Sequence, residues 1–156
     1  MRKFLRLAAL GAAALFISVQ FVRPNKANPP VKEADAIESH VRVTPEVAGI
    51  FERACKDCHS HQTEWPWYAR IAPVSWYVAD HVEHGRREMN FSVWSTYDRE
   101  RADWLLGAMC MTAERGLMPL ASYTRLHHPA ELSPGDRQTL CAWSRAERGR
   151  LARRAL

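Results

Sequence analysis

The stretch RACKDCHSHQTEWPWY, residues 53–68, holds a Cys-x-x-Cys pair, Cys55 and Cys58, with His59 directly behind the second thiol. Three chemistries use such a pair: covalent haem attachment, zinc ligation and dithiol exchange. What leads into the motif helps to separate them. Thr44 supplies an N-cap and Pro45 an N1 residue, and Val47, Ile50, Phe51 and Ala54 then recur at i, i+3, i+4 and i+7. The motif thus closes an amphipathic helix. A thioredoxin-like dithiol normally follows a strand and opens a helix, and no strand precedes this one. Zinc would need a fourth ligand from His61 or from distant Cys110 or Cys141, and no second knuckle stands at zinc-finger spacing. In the haem reading each thiol adds across one vinyl group, and the adjacent imidazole is placed to bind iron from the proximal side. The motif is read as a haem c attachment site.

That reading needs a sixth ligand or a vacant distal position elsewhere in the chain. Met118 follows a helix stop and precedes Pro119, and a thioether reaches iron without carrying charge into the core. His81, His127 and His128 are the competing candidates, and spacing leaves the choice open. Methionine is also an ordinary core filler.

Working outward, the chain of 156 residues suits one small globular domain with an appendage. Residues 1–22 depart from globular composition. Arg2, Lys3 and Arg6 form a basic start, and Leu7 to Val22 are uncharged. As a helix that run reaches ~24 Å, so it spans a ~30 Å hydrocarbon core only if Leu5 joins it and Arg6 snorkels. A cleaved signal peptide is the alternative, but Arg23, Pro24 and Asn25 follow instead of a small-x-small site. The expectation is a single-pass anchor in the bacterial inner membrane, with the remainder in the periplasm. Residues 23–43, with Pro24, Pro29 and Pro30 and no period, read as an extended linker. Residues 44–156 form the expected domain. The net charge of +5, carried mostly by arginine and densest from Arg145 to Arg154, suits a solvated helix end or an acidic partner. Nucleic acid is excluded as a partner of an exported chain.

Beyond the motif, Pro66 and Pro73 make residues 60–74 an aromatic-rich loop. Ser75 caps an expected helix through Trp76, Val78, Ala79 and Val82 that ends near Gly85. A loop at Asn90-Phe91-Ser92 follows. From Asp98 the positions Ala102, Leu105, Leu106, Met109, Cys110 and Ala113 keep helical spacing until Gly116 stops the helix. Ser133-Pro134-Gly135-Asp136 reads as a capping box opening a last helix through Leu140 and Trp143. No stretch alternates as a strand would, so the fold class is all-α. Trp65, Trp67, Tyr68 and Trp76 could wall a porphyrin or simply fill a core. Cys110 and Cys141 could bridge two helices or remain buried thiols.

The runs CKDCHSHQTEWPWYARIAPVSWYVADHVEHGRREMNFSVW and LMPLASYTRLHHPAELS resemble the bacterial haem-binding domain family of exported mono-haem proteins, from about Pro45 to Trp143. Trp65-Pro66-Trp67-Tyr68, Ile71-Ala72-Pro73-Val74-Ser75-Trp76 and Asn90-Phe91-Ser92 each correspond to a characteristic block. The resemblance implies one covalent haem c at Cys55 and Cys58 with His59 as proximal ligand. It also places Met118 in a Met-Pro block like that of small cytochromes c. The expectation is a membrane-tethered, cytochrome c-like electron carrier serving an unnamed redox partner, not an enzyme. The rivals are a haem-based sensor with a vacant distal site and a peroxidase-like enzyme using His81 as acid-base group. No Ser/His/Asp set or paired carboxylates suggest a hydrolase.

Overall fold

The computed structural model describes residues 1–153. Arg154, at the end of the arginine-rich run, and the last two residues of the expected domain lie outside the described residues. Seven α-helices run in chain order: α1 Arg2–Val19, α2 Pro45–Ala54, α3 Lys56–His59, α4 Val74–Glu88, α5 Arg99–Glu114, α6 Ala121–Thr124 and α7 Pro134–Arg153. Short 3₁₀ turns link them, and the described residues contain no strand.

The helix starts follow their caps. Thr44 Oγ1 accepts from the Val47 amide, and Asp98 Oδ1 accepts from that of Arg101 at 2.7 Å. Ser133 and Asp136 cap each other reciprocally: the Ser133 amide donates to Asp136 Oδ2 at 2.8 Å, and the Asp136 amide donates to Ser133 Oγ at 3.1 Å. Each cap satisfies amides that the first turn would otherwise leave unpaired.

The apolar face of α2 meets α5 and α7 in one core. Val47, Ile50 and Phe51 pack with Leu105, Leu106, Met109, Leu140 and Trp143. Phe51 lies 4.7 Å from Phe91 and edge-on to Trp143 at 5.3 Å between ring centroids. The helices α5 and α7 are joined by a disulfide between Cys110 and Cys141, 31 positions apart. Closing a loop of that length restricts the unfolded chain and stabilises the fold by about 2–4 kcal/mol. Cys110→Ala with Cys141→Ala is therefore expected to lower unfolding stability by that amount in a denaturant titration. A reductant should destabilise the natural chain and leave the variant unchanged.

Several expectations need correction. The single-pass membrane anchor over residues 1–22 is not borne out: among the described residues, no helix is long and apolar enough to cross a membrane. Helix α1 ends at Val19, so its uncharged part, Leu7 to Val19, reaches only about 20 Å at 1.5 Å per residue. Arg2, Lys3 and Arg6 occupy its first turns. Gln20 leaves the apolar run to bond Ala72, donating to its carbonyl at 3.1 Å and accepting from its amide at 2.9 Å. The inner-membrane location with a periplasmic domain, which rested on that span, falls with it.

Residues 23–43, read as an extended linker, instead lie along the domain. Ile37 is 0% exposed and joins the core with Val41, because two 3₁₀ turns at residues 33–35 and 37–39 fold them inward. Helix α4 begins at Val74 rather than after Ser75, and it runs past Gly85 to Glu88. The arginine-rich end is partly structural: Arg150 pairs with buried Glu147 and reaches the His40 carbonyl, while Arg148 pairs with Asp103.

Candidate functional site

The motif sits where α2 gives way to α3. The amides of Cys58 and His59 both bond back to the Cys55 carbonyl, at 3.2 and 2.9 Å, and wind the five residues into one tight turn. Helix α4 lies directly against that turn. A Cβ on Gly85 would stand 2.5 Å from the Cys58 carbonyl oxygen, so only glycine allows this approach. The close approach explains why Gly85 does not end the helix: its role is tertiary contact.

The imidazole of His59 is fixed from two sides. Its Nδ1 lies 3.0 Å from the Met89 carbonyl, an acceptor that requires Nδ1 to carry the proton. Nε2 is then left as a free lone pair. Phe91 stacks near the ring at 6.4 Å and rests in turn on Phe51. Burial is the main cause holding the His59 pKa below the ordinary imidazole value, with hydrogen bonds to Met89 and Gly85 opposing it. Phe91 is aimed by the Asn90-Phe91-Ser92 turn. Asn90 Oδ1 accepts from the Ser92 amide at 2.9 Å, the Asn90 amide donates to Tyr97 Oη, and Ser92 Oγ accepts from the His61 amide.

Cys55, His59 and Met118 border one apolar cavity of about 230 Å³, walled by Phe51, Met89, Phe91, Leu105, Met109 and Leu140 and flanked by Trp104. Met118 arrives there through a backbone device. Gly116 has φ +64°, the Gly116 amide bonds the Ala113 carbonyl, and the Leu117 amide bonds the Thr112 carbonyl at 2.9 Å. That is a Schellman motif, and the Met118 amide is held to the same Thr112 carbonyl at 3.2 Å. The methionine is 38% exposed.

The other candidates lie elsewhere. Cys58 and His81 border a second cavity of about 120 Å³, with Tyr68, Tyr77 and Tyr123. His81 Nδ1 bonds the carbonyl of Tyr77, against whose ring it packs at 4.1 Å. Both nitrogens of His127 are engaged, Nδ1 with the Tyr123 carbonyl and Nε2 with Tyr68 Oη, and its ring stacks on Tyr123. His128 is exposed in a 3₁₀ turn. Leu120 and Tyr123, from the segment that carries Met118, line the second cavity, so one loop serves both. Tyr123 Oη donates to Asp57 Oδ2 at 2.6 Å and ties this loop to the motif, a link that the sequence did not reveal.

The two motif thiols are free. Burial pushes Cys55 up to about 12, with Cys58 adding to the rise and Arg53 opposing it. Burial likewise raises Cys58 to about 11, with Asp57 adding and Arg86 opposing. A dithiol that exchanges disulfides works through a depressed thiol pKa, so these two are poorly suited to that chemistry. The Cys55 thiol, an imidazole with a free Nε2 and the Met118 thioether meet on one apolar cavity, while the Cys58 thiol borders the neighbouring one. Thiols for vinyl addition with nitrogen and sulfur donors for iron form a set that fits an iron porphyrin. The tryptophans contribute less than expected. Trp67 is 74% exposed, the Trp76 indole N–H donates to the Val22 carbonyl, and Trp65 lies beside Ala27, outside both cavities.

This is a helical domain with a ligand cavity built around a Cys-x-x-Cys-His turn. Comparison with protein families matches the haem-binding domain over residues 14–146, and the chain belongs to that family. Comparison with curated proteins and with solved structures gives no match.

Proposed function

We propose that this haem-binding protein is a cytochrome c-like carrier of single electrons, with one haem c attached through Cys55 and Cys58, His59 as proximal ligand and Met118 as distal ligand. The observation that carries the reading is the meeting of Cys55, His59 and Met118 on one apolar cavity. When bound, the haem supplies a one-electron iron couple. The chain's own groups do the rest. The Met89 carbonyl accepts a hydrogen bond from His59 Nδ1–H and so leaves Nε2 as the nitrogen that would hold the metal. Phe91, Leu105 and Met109 give the cavity apolar walls. Met118 donates sulfur without adding charge.

His59 and Met118 would both be held by the iron, which would favour electron transfer over gas sensing or peroxidase chemistry. The acid-base candidate of the peroxidase reading, His81, borders the other cavity. The Cys110–Cys141 disulfide suits surroundings in which thiols oxidise. A net charge of +5 favours an acidic redox partner.

Titration of the ferrous protein with carbon monoxide under anaerobic conditions tests the proposal. The natural chain should ignore the gas, while Met118→Ala should bind it promptly and lose the weak thioether–iron band of the ferric form near the red edge of the spectrum. Binding by the natural chain would favour the sensor reading. A band absent from the start would remove Met118 as ligand.

A further inference from the structure

Arg86 follows Gly85 on α4, and its guanidinium reaches back over the motif. Nε donates to the Ser60 carbonyl at 2.7 Å, one terminal nitrogen donates to the Ala27 carbonyl at 3.0 Å, and the other donates to Asn28 Oδ1 at 2.7 Å and Thr63 Oγ1 at 2.9 Å. All four acceptors are neutral. Arg53, Arg87, Arg148 and Arg150 each have a carboxylate partner, whereas among the described residues no carboxylate lies within ion-pair distance of Arg86. Ser60 is the residue after His59, and Thr63 Oγ1 donates to the carbonyl of Asp57 inside the motif. A permanent, half-buried positive charge is therefore fixed against the backbone of the attachment turn without a counter-ion.

We propose that Arg86 tunes the reduction potential of the centre, raising it by opposing the extra positive charge that the iron carries after giving up an electron. The inference rests on the haem assignment above. Its physics is Coulomb repulsion, screened by solvent only in part because the guanidinium's contacts with Ser60 and Thr63 are part-buried while those with Ala27 and Asn28 are exposed. Two carboxylates pull the other way. Glu88 borders the cavity but is exposed, so water weakens its effect. Asp57 is half-buried and already accepts from Tyr123 Oη and the Glu64 amide. Arg86 is held by four bonds and cannot swing away.

The test is a potentiometric titration of the haem-loaded protein, with dithionite as electron donor and hexacyanoferrate(III) as acceptor. One electron passes per iron between ferric and ferrous forms. Arg86→Gln removes the charge and should shift the ferrous-to-ferric ratio at a fixed potential about tenfold toward ferric, a midpoint about 59 mV lower. Asn28→Asp keeps Arg86 and places a carboxylate where its amide oxygen now accepts, so it should lower the midpoint in the same direction. Asn28→Ala breaks the contact without changing charge, and Arg86→Lys keeps the charge; both should stay at the natural value. Because Asn28→Asp neutralises the cation without removing it, the inference remains testable if Arg86→Gln fails to fold. A midpoint unmoved by Asn28→Asp, or moved as far by Asn28→Ala, overturns it. A natural chain that matures without pigment overturns the haem assignment instead.

Discussion

Changing Cys55 and Cys58 together to serine is expected to abolish covalent pigment. A serine hydroxyl is nearly the size of the thiol, so the turn built on the Cys55 carbonyl should survive. The cavity beside His59 and Met118 should survive with it. What is lost is the sulfur that adds to a vinyl group. Expressed in a host that attaches haem, the natural chain should retain haem stain on a denaturing gel and give a c-type pyridine haemochrome spectrum. The double variant should release all its pigment into acidified organic solvent. Each single variant should keep one link and therefore stay pigmented. Pigment that washes out of the natural chain would reject covalent attachment, and a stained double variant would place it elsewhere.

Gly85→Ala should cost about 1–3 kcal/mol of stability through overpacking and reduce the yield of haem-loaded protein. On helix propensity alone the change should stabilise, by about 0.5–1 kcal/mol. Geometry reverses that sign. The new methyl would stand 2.5 Å from the Cys58 carbonyl oxygen and 3.1 Å from its carbonyl carbon. Main-chain atoms cannot rotate out of the way, so α4 must back off from the attachment turn. Gly49, on α2, provides the control, because a Cβ there meets nothing within 4 Å. Gly49→Ala should therefore raise stability by roughly the propensity difference. Thermal unfolding of the two variants beside the natural chain reads both signs, and a stable, fully loaded Gly85→Ala would remove the close-contact argument.

These two glycines also show where sequence reasoning reaches and where it stops. Caps are local, so Thr44 and the Ser133–Asp136 box marked two helix starts correctly, and the spacing from Asp98 marked a third. Gly116 was legible for the same reason: its positive φ is a demand of the chain ending beside it. Gly85 was misread because its neighbour is Cys58, far away in sequence and visible only after folding. The same distance hid Ile37, whose burial depends on partners elsewhere and not on any period in residues 23–43. The apolar start misled through hydropathy alone, since Gln20 breaks the run to bond Ala72. At the site, the motif pointed to Cys55, Cys58 and His59, while residue chemistry left Met118 open against His81, His127 and His128 and only the family resemblance singled it out. No motif spacing could say that His81 borders a different cavity or that Tyr123 is tied to Asp57.

The contacts of residues 20–28 carry a consequence for the order in which the molecule is assembled. Gln20 bonds Ala72, Val22 bonds Trp76, Lys26 bonds Ala69, and Ala27 and Asn28 bond Arg86. Synthesis proceeds from the amino terminus, so this strip is made before its partners and must wait until those residues, more than forty positions later, exist. Contacts of such separation also form slowly, because the intervening chain must first be gathered in. The Cys-x-x-Cys-His turn, by contrast, closes within five residues. Residues made before their partners are thus among the last to be seated, and they come to rest over a turn that is already formed.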